Sequence, residues 1–194
     1  MSTVKVSKRA ALIVVDVQND FCPGGALPVP EGDKVVPVVN SYIDLFRRAG
    51  ALIFFTRDWH PRDHISFRSY GGVWPPHCIQ NTWGAGFHPA LKVGDEDFVI
   101  PKGFERSKEA YSGFEGTDLD ERLKRFNIKE LFVGGLATDY CVKNTVLDGL
   151  KRGYKVYLLE DAVRGVDVKQ GDSLRAIGEM VKAGAMKISL NCLK

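Results

Sequence analysis

Three polar side chains, Asp16, Lys102 and Cys141, each follow an apolar segment with the composition of a buried strand. Asp16 follows ALIVV, Lys102 follows FVIP, and Cys141 comes about one helical turn after LFVGG. In an open parallel sheet, ligands bind at the edge where the carboxyl ends of the strands lie. The pattern therefore predicts that a carboxylate, an ammonium group and a thiol from distant parts of the chain meet at one site.

This combination is suited to nucleophilic catalysis by a cysteine. A thiol reacts as its thiolate, and that anion would be stabilised in the first turn of a helix beginning at Thr138 and by the charge of Lys102. Asp16 would accept the thiol proton and later return it to a leaving group. The N–H groups of the same turn could form an oxyanion hole, an effect of about 3 kcal/mol per donor.

The segment before the cysteine, GGLAT, carries almost no side-chain bulk. We interpret Gly134, Gly135 and Ala137 as residues that let a carbonyl substrate approach the backbone closely.

Each of the three polar residues, taken alone, also has an ordinary structural explanation. Asp16 could cap a loop, Lys102 could be a solvated surface residue, and Cys141 could be a small buried hydrophobe. The catalytic interpretation rests on their occurring together.

A second group of residues has the composition of a metal site. Asp58 and His60 lie two residues apart just beyond a predicted strand, so in an extended chain they point to the same side. With His77 they would form a 2-His-1-carboxylate site with open positions, which suits Zn, Fe or Mn. His64 is either a further ligand or a group that holds the ligands in place, and we interpret His88 as structural.

The scaffold for these residues follows from an alternation of β-rich and amphipathic segments. Strands are predicted at 11–17, 51–56, 97–102, 130–135, 154–160 and 186–190, and helices at 35–46, 117–126, 138–152 and 173–183. This order predicts a three-layer α/β/α fold, Rossmann-like, with a mostly parallel central sheet of about six strands. Residues 1–194 suit a single domain. Residues 57–95 are predicted to form an insertion that carries the metal site, because they lack periodicity yet hold every histidine and tryptophan.

Composition limits the partners and the location. The 27 basic and 24 acidic residues nearly balance, and the absence of a basic run argues against nucleic acid. No apolar stretch is long enough for a membrane span, and the run that ends at Asp16 is too short for a secretory signal, so we expect a cytoplasmic protein. The four widely spaced cysteines do not indicate a disulfide framework.

Six motifs carry a family resemblance that extends from Ala11 to about Gly165: DVQNDFCPGGAL, TRDWHPRDHISF, WPPHCIQNTWGAGFHPAL, PKG, AYSGF and GLATDYCVKNTVLDGL. As a set they resemble nicotinamidases, in the isochorismatase-like cysteine hydrolase superfamily. The resemblance implies hydrolysis of nicotinamide to nicotinate and ammonia through a cysteine thioester, in NAD salvage, with pyrazinamide as a further substrate. It also implies the catalytic triad Asp16, Lys102 and Cys141.

The resemblance implies further site residues. One divalent metal, Zn, Fe or Mn, would bind to Asp58, His60 and His77, with His64 as a further ligand in some members, and would take the pyridine nitrogen. A cis peptide would join Leu136 to Ala137, and the N–H groups of Ala137 and Cys141 would form the oxyanion hole. The walls of the pyridine pocket would be Phe21, Leu27, Trp74 and Tyr111. Tyr140 occupies a position where members vary. The formation of a homo-oligomer is left open.

Three alternative functions stay open at this point. A metal-free amidase or carbamoyl hydrolase of the same superfamily would not need the histidines. A metallohydrolase that activates water at its metal would not need Cys141. A non-catalytic nicotinamide-binding module is the alternative from another class, although the first strand is not followed by the G-x-G-x-x-G of dinucleotide sites.

Overall fold

A six-stranded parallel sheet forms the centre of the protein in a computed structural model that describes residues 4–193. Its strands are β1 (Ala10–Val15), β2 (Leu52–Asp58), β3 (Phe98–Lys102), β4 (Glu130–Leu136), β5 (Lys155–Arg164) and β6 (Met186–Ile188). Their order across the sheet is β3-β2-β1-β4-β5-β6, and every neighbouring pair is parallel. The predicted α/β fold with about six strands is confirmed.

Helices cover both faces of this sheet. They are α1 (Val35–Arg48), α2 (Leu119–Arg125), α3 (Lys143–Lys151) and α4 (Asp172–Lys182). One apolar core joins α1 to one face of the sheet, and a second core joins α2, α3 and α4 to the other. Within residues 4–193, no helix has the length and apolar character needed to cross a membrane.

β1 shows why the sheet lies in the middle of the fold. All six of its residues are buried, because Leu12 and Val14 face the core under α1 while Ala11, Ile13 and Val15 face the opposite core. A strand covered on both faces reads as a continuous apolar run, as in doubly wound parallel sheets. Burial of each large aliphatic side chain here contributes about 1.5–3 kcal/mol.

Several strand ends differ from the predicted ones: β4 ends at Leu136, β5 continues to Arg164, and β6 ends at Ile188. Two further differences, in β1 and β2, lie at the site. β1 stops at Val15, because Asp16 has a φ of 47° and leaves the extended conformation. Aspartate tolerates this left-handed region better than a β-branched residue does. β2 continues through Asp58, so Asp58 is the last residue of a strand and not the start of a loop.

The helix predicted from Thr138 is divided in two. Thr138–Val142 forms a π-helical turn that contains Cys141, and α3 follows it directly. The Val142 N–H donates to the carbonyl of Ala137 at 3.1 Å, five residues back, which is the hydrogen-bond pattern of a π-helix. The predicted stop is present, since α3 is followed by Gly153 with a φ of 84°.

The segment between β2 and β3 contains turns and isolated bridges, as its lack of periodicity predicts. His60 bridges to Ile79, and Phe67 bridges to Trp74. These contacts fold the segment back over the carboxyl ends of the strands, where it contributes to the site.

Candidate active site

Asp16, Lys102 and Cys141 come together at the carboxyl ends of β1, β3 and β4. The Nζ atom of Lys102 lies 2.9 Å from Oδ2 of Asp16 and 3.3 Å from Sγ of Cys141. Lys102 is 0% exposed, so it is not a solvated surface lysine. Parallel topology thus brings a carboxylate, an ammonium group and a thiol into direct contact, as their positions after three strands indicated.

The two oxygens of Asp16 have different surroundings. Oδ1 accepts a hydrogen bond from the Thr56 hydroxyl at 2.7 Å. Oδ2 lies beside the ammonium group of Lys102 but has no hydrogen bond of good geometry within residues 4–193. An Asp16 oxygen also lies within 4.8 Å of Sγ of Cys141. Oδ2 is therefore the oxygen with free capacity to take the thiol proton.

Lys102 is a fixed cation at the centre of the cluster. Its ammonium group donates to the Asp58 carboxylate, to the Ala110 carbonyl at 3.1 Å and to the sulfur of Cys141. Burial alone would lower the pKa of Lys102, but the carboxylates of Asp16 and Asp58 outweigh burial and raise that pKa well above its usual value. The ammonium group contacts both carboxylates and the sulfur, so a cation already occupies the space among these three groups that a second metal ion would need.

Burial works against a thiolate at Cys141. Complete burial raises the pKa of the Cys141 thiol well above its usual value, and the charge of Lys102 offsets only part of that increase. Lys102 lowers this pKa, as predicted, but the carboxylates of Asp16 and Asp58 add to the effect of burial, so the net direction is opposite to the predicted one. Burial also raises the pKa of Asp16 against the opposing effect of Lys102. A more basic carboxylate beside a protonated thiol is the arrangement that general-base activation requires.

The backbone beside Cys141 provides candidate oxyanion donors. The peptide between Leu136 and Ala137 is cis, as the family resemblance implied. Ala137 and Cys141 both line the cavity described below. No hydrogen bond joins either of their N–H groups to a residue outside this turn within the described range 4–193.

The two glycines before the turn allow close packing within the sheet and do not make space for a substrate. Gly135 has a φ of 119°, and a Cβ atom there would collide with the backbone of Val15 in β1. A Cβ atom on Gly134 would press against Ala162 in β5. The interpretation that these glycines make room for a carbonyl substrate was therefore wrong, whereas Ala137 does face the cavity.

An apolar cavity opens next to the sulfur. It contains about 340 Å³ of atom-free space, part of it open to solvent. All four predicted wall residues line it, together with two that the sequence did not assign: Phe21, Leu27, Trp74, Tyr111, Tyr140 and Val166. Val166 was missed because it lies just beyond the stretch that carries the family resemblance.

Aromatic contacts fix one side of this cavity. The indole N–H of Trp74 donates to the Tyr111 hydroxyl at 3.0 Å. The ring of Tyr140 packs edge-on against Trp74 with the centroids 5.0 Å apart. The three rings support one another, and such pairs add about 0.5–1.5 kcal/mol beyond the area that they bury.

Asp58, His60 and His77 are arranged as metal ligands. One ligand atom from each of these buried residues lies within 4.8 Å of the others. Nδ1 of His60 bonds to the Gly103 carbonyl, and Nδ1 of His77 bonds to the Pro75 carbonyl, both at 2.8 Å. Because a carbonyl only accepts, each Nδ1 carries the proton and each Nε2 keeps a lone pair for a metal.

The charges of the site also suit a cation. Asp16 and Asp58 bring two negative charges into a buried space in which Lys102 supplies one positive charge, and burial of an uncompensated charge is unfavourable. Burial lowers the pKa of His77 to about 4, so its imidazole is neutral and able to bind a metal. Two imidazoles and a carboxylate suit Zn, Fe or Mn.

His64 lies behind the three ligands. Its nitrogens contact the Ser66 hydroxyl at 2.7 Å and the Lys108 carbonyl at 2.9 Å, and its ring stacks on His60 at 4.1 Å. These contacts favour a residue that holds His60 in place over a residue that binds the metal. Its role stays a prediction.

The chain is similar to known proteins over almost its whole length. The family model of the isochorismatase domain matches residues 10–191. A nicotinamidase of Escherichia coli is 45% identical over 201 residues, which cover 93% of this chain and 94% of the relative.

Two solved structures share the fold over nearly their full length. The pyrazinamidase of Pyrococcus horikoshii in complex with zinc has a TM-score of 0.90 and 54% identity, over 94% of this chain and 99% of that one. PnC1 from L. infantum in complex with nicotinate has a TM-score of 0.92 and 33% identity, over 100% and 99% of the two chains.

Proposed function

The chain belongs to the isochorismatase domain family, and from that premise we propose that it hydrolyses nicotinamide to nicotinate and ammonia, a step of NAD salvage. The observation that carries this proposal is the buried contact of Asp16, Lys102 and Cys141 at the floor of an aromatic cavity. A similar nicotinamidase and a similar structure in complex with nicotinate support the substrate. Pyrazinamide is the second substrate, in keeping with the similar pyrazinamidase.

The cavity orients the ring so that the carboxamide faces the sulfur. Phe21, Leu27, Trp74 and Tyr111 supply the apolar walls. Asp58, His60 and His77 would hold a divalent metal, which would supply a Lewis acid toward the pyridine nitrogen. Zinc is the metal that we propose, because a similar pyrazinamidase was solved with zinc, and Fe or Mn would suit the same donors. Orientation of this kind can lower a barrier by about 7 kcal/mol or more.

The first half of the reaction forms a thioester. Oδ2 of Asp16 takes the thiol proton, and Sγ of Cys141 attacks the amide carbon. The carbonyl oxygen becomes an oxyanion that accepts hydrogen bonds from the N–H groups of Ala137 and Cys141. Asp16 then gives its proton to the amide nitrogen, the carbon–nitrogen bond breaks, and ammonia leaves.

The second half of the reaction hydrolyses the thioester. Asp16, again a carboxylate, takes a proton from water as the water oxygen attacks the acyl carbon. The carbon–sulfur bond breaks, nicotinate is released, and Cys141 takes back a proton from Asp16. Lys102 stays charged throughout, so it stabilises the carboxylate and the departing thiolate in turn.

The proposal also covers the organisation and location of the protein. Residues 1–194 form one hydrolase domain in which the insertion at 57–95 carries the metal site. The four cysteines all lie within residues 4–193 and are unpaired there, which is in keeping with a reducing, cytoplasmic location.

An ammonia-release assay on a panel of aromatic amides tests the function. The purified protein is supplied with nicotinamide, pyrazinamide, benzamide and an N-carbamoyl amino acid, with and without chelator. We expect release from the first two amides, and the release should fall when the metal is removed. Hydrolysis of the carbamoyl compound alone, or release of no ammonia from any amide, would overturn the proposal.

A further inference from the structure

Val166 forms a wall of the ring cavity from a loop that follows β5. The strand ends at Arg164, so the sheet does not hold Val166 in place. Its half-buried side chain nevertheless lines the same cavity as Ala137, Tyr140 and Cys141. Another contact must therefore fix the distance between this wall and the sulfur.

Asp139 provides that contact. Its side chain is buried, with the residue only 6% exposed. One carboxylate oxygen accepts the Val166 N–H at 2.9 Å, and the other accepts the Asp167 N–H at 2.8 Å. Asp139 lies two residues before Cys141 in the same π-helical turn. One side chain therefore ties the wall directly to the turn that carries the nucleophile.

The outer side of the loop has a separate attachment. Asp167, whose φ is 50°, accepts hydrogen bonds from the N–H and the hydroxyl of Ser173 in α4 at 2.8 and 2.7 Å. A Cβ atom on Gly165 would collide with the Ser173 side chain and lie close to Asp139. The loop is thus fixed to α4 on its exposed side and to Asp139 on its buried side.

We propose that Asp139 is a positioning residue for substrate binding, which acts by holding Val166 against the ring. The inference rests on the proposed function. A wall that contacts the ring equally before and during the reaction contributes uniform binding energy, so its displacement raises KM more than it lowers kcat. A merely structural role predicts the opposite result, because a smaller folded fraction lowers the apparent kcat and leaves KM unchanged.

The test compares Asp139→Asn, Val166→Ala and the double variant with the wild-type protein. Asp139→Asn keeps the size of the side chain but removes one of the two acceptors. The matched control is Asp95→Asn, an exposed aspartate whose side chain has no hydrogen bond or ion pair within residues 4–193. Steady-state rates on nicotinamide give kcat and KM, and circular dichroism gives the folded fraction.

We expect Asp139→Asn to raise KM by about tenfold with a smaller fall in kcat, as loss of a hydrogen bond to a charged group predicts. Val166→Ala should raise KM by about three- to tenfold. The double variant should resemble the worse single variant, because both changes act on one wall. Asp95→Asn should match the wild-type protein. If Asp139→Asn does not fold, Asp139→Glu, which keeps the charge but displaces the loop, takes its place with the same expected rise.

An Asp139 variant that folds with the wild-type KM would overturn the inference. A KM increase in the double variant that equals the product of the single increases would also overturn it, because the two residues would then act independently. The proposed function is tested separately by the wild-type protein. A wild-type protein that released no ammonia would overturn the function, whereas an active wild-type protein with unaltered variants would overturn the inference alone.

Discussion

The hydroxyl of Thr56 donates a hydrogen bond to Oδ1 of Asp16 across 2.7 Å, and both residues are fully buried. The Asp16 N–H in turn donates to the Thr56 carbonyl at 3.2 Å. Strand β2 therefore holds the backbone and the side chain of the proposed base. Because Oδ1 is engaged, Oδ2 is the oxygen left to face Lys102 and exchange a proton with the sulfur.

We expect Thr56→Val to lower kcat by about 10- to 100-fold, since a hydrogen bond to a charged group contributes about 1.5–3 kcal/mol. KM should change much less, because Asp16 acts on the reacting proton and not on the ring. Thr56→Ser keeps the hydroxyl and should restore most of the rate. Steady-state kinetics on nicotinamide provide the measurement. A valine variant with the wild-type kcat, or a serine variant as slow as the valine one, would contradict this role.

Sequence patterns predicted the fold and the meeting of the polar residues for one physical reason. In a parallel sheet the carboxyl ends of all strands lie at the same edge, so Asp16 and Lys102, each at or just after a strand end, were expected at one edge. Their direct contact also depends on the strand order, in which only β2 lies between β1 and β3. The apolar run that gives β1 also indicated burial on both faces. These features depend on local periodicity, which a single sequence carries.

Other features depend on tertiary contacts and were not predictable from the sequence. The roles of Gly134 and Gly135 were assigned wrongly, because only the structure shows that their missing side chains face β5 and β1. The net direction of the Cys141 pKa was not predictable from the sequence, because burial of the thiol outweighs the lowering by Lys102. The place of Val166 in the cavity was not predictable from the sequence, because it depends on a hydrogen bond that the Val166 N–H donates to Asp139 in a distant turn.

Replacing the nucleophile should separate chemistry from binding. We expect Cys141→Ala to lower the rate of ammonia release by at least about 10⁴-fold. Loss of the nucleophile alone costs about as much catalysis as loss of all the residues that act with it. Nicotinamide binding, measured by calorimetry, should remain, since the ring walls are untouched. Cys192→Ala, at a half-buried thiol near the end of the chain, is the control and should keep full activity. Ammonia release by Cys141→Ala above about one hundredth of the wild-type rate would refute the assigned nucleophile.

Removal of the metal should affect amides according to their ring nitrogen. We expect a chelator to raise KM for nicotinamide by at least tenfold, since the Lewis acid at Asp58, His60 and His77 would be lost. Benzamide has no ring nitrogen, so its rate should be low and nearly the same with and without metal. Kinetics on both amides, before and after zinc is added back, provide the measurement. An equal loss of activity on both amides would instead indicate that the metal supports the fold.

Gln18 should control metal affinity without touching the metal. Its buried side-chain amide donates to the carbonyls of Asp58 and Ala85 at 2.9 Å each and accepts the Asp58 N–H at 2.8 Å. It therefore holds the backbone of a proposed metal ligand from both sides. Partners of this kind typically alter metal affinity by about 10- to 100-fold.

We expect Gln18→Met, which has a similar shape but no amide, to weaken zinc binding by at least about tenfold. The variant should also unfold more easily by about 1–3 kcal/mol, because polar groups of Asp58 lose their partners. Gln170→Met is the matched control at an exposed position, and its affinity and stability should stay unchanged. Zinc affinity is measured by competition with a chromophoric chelator, and the unfolding midpoint of the metal-free protein reports stability. If Gln18→Met loses stability but binds zinc as tightly as the wild-type protein, Gln18 supports the fold and does not position the ligand.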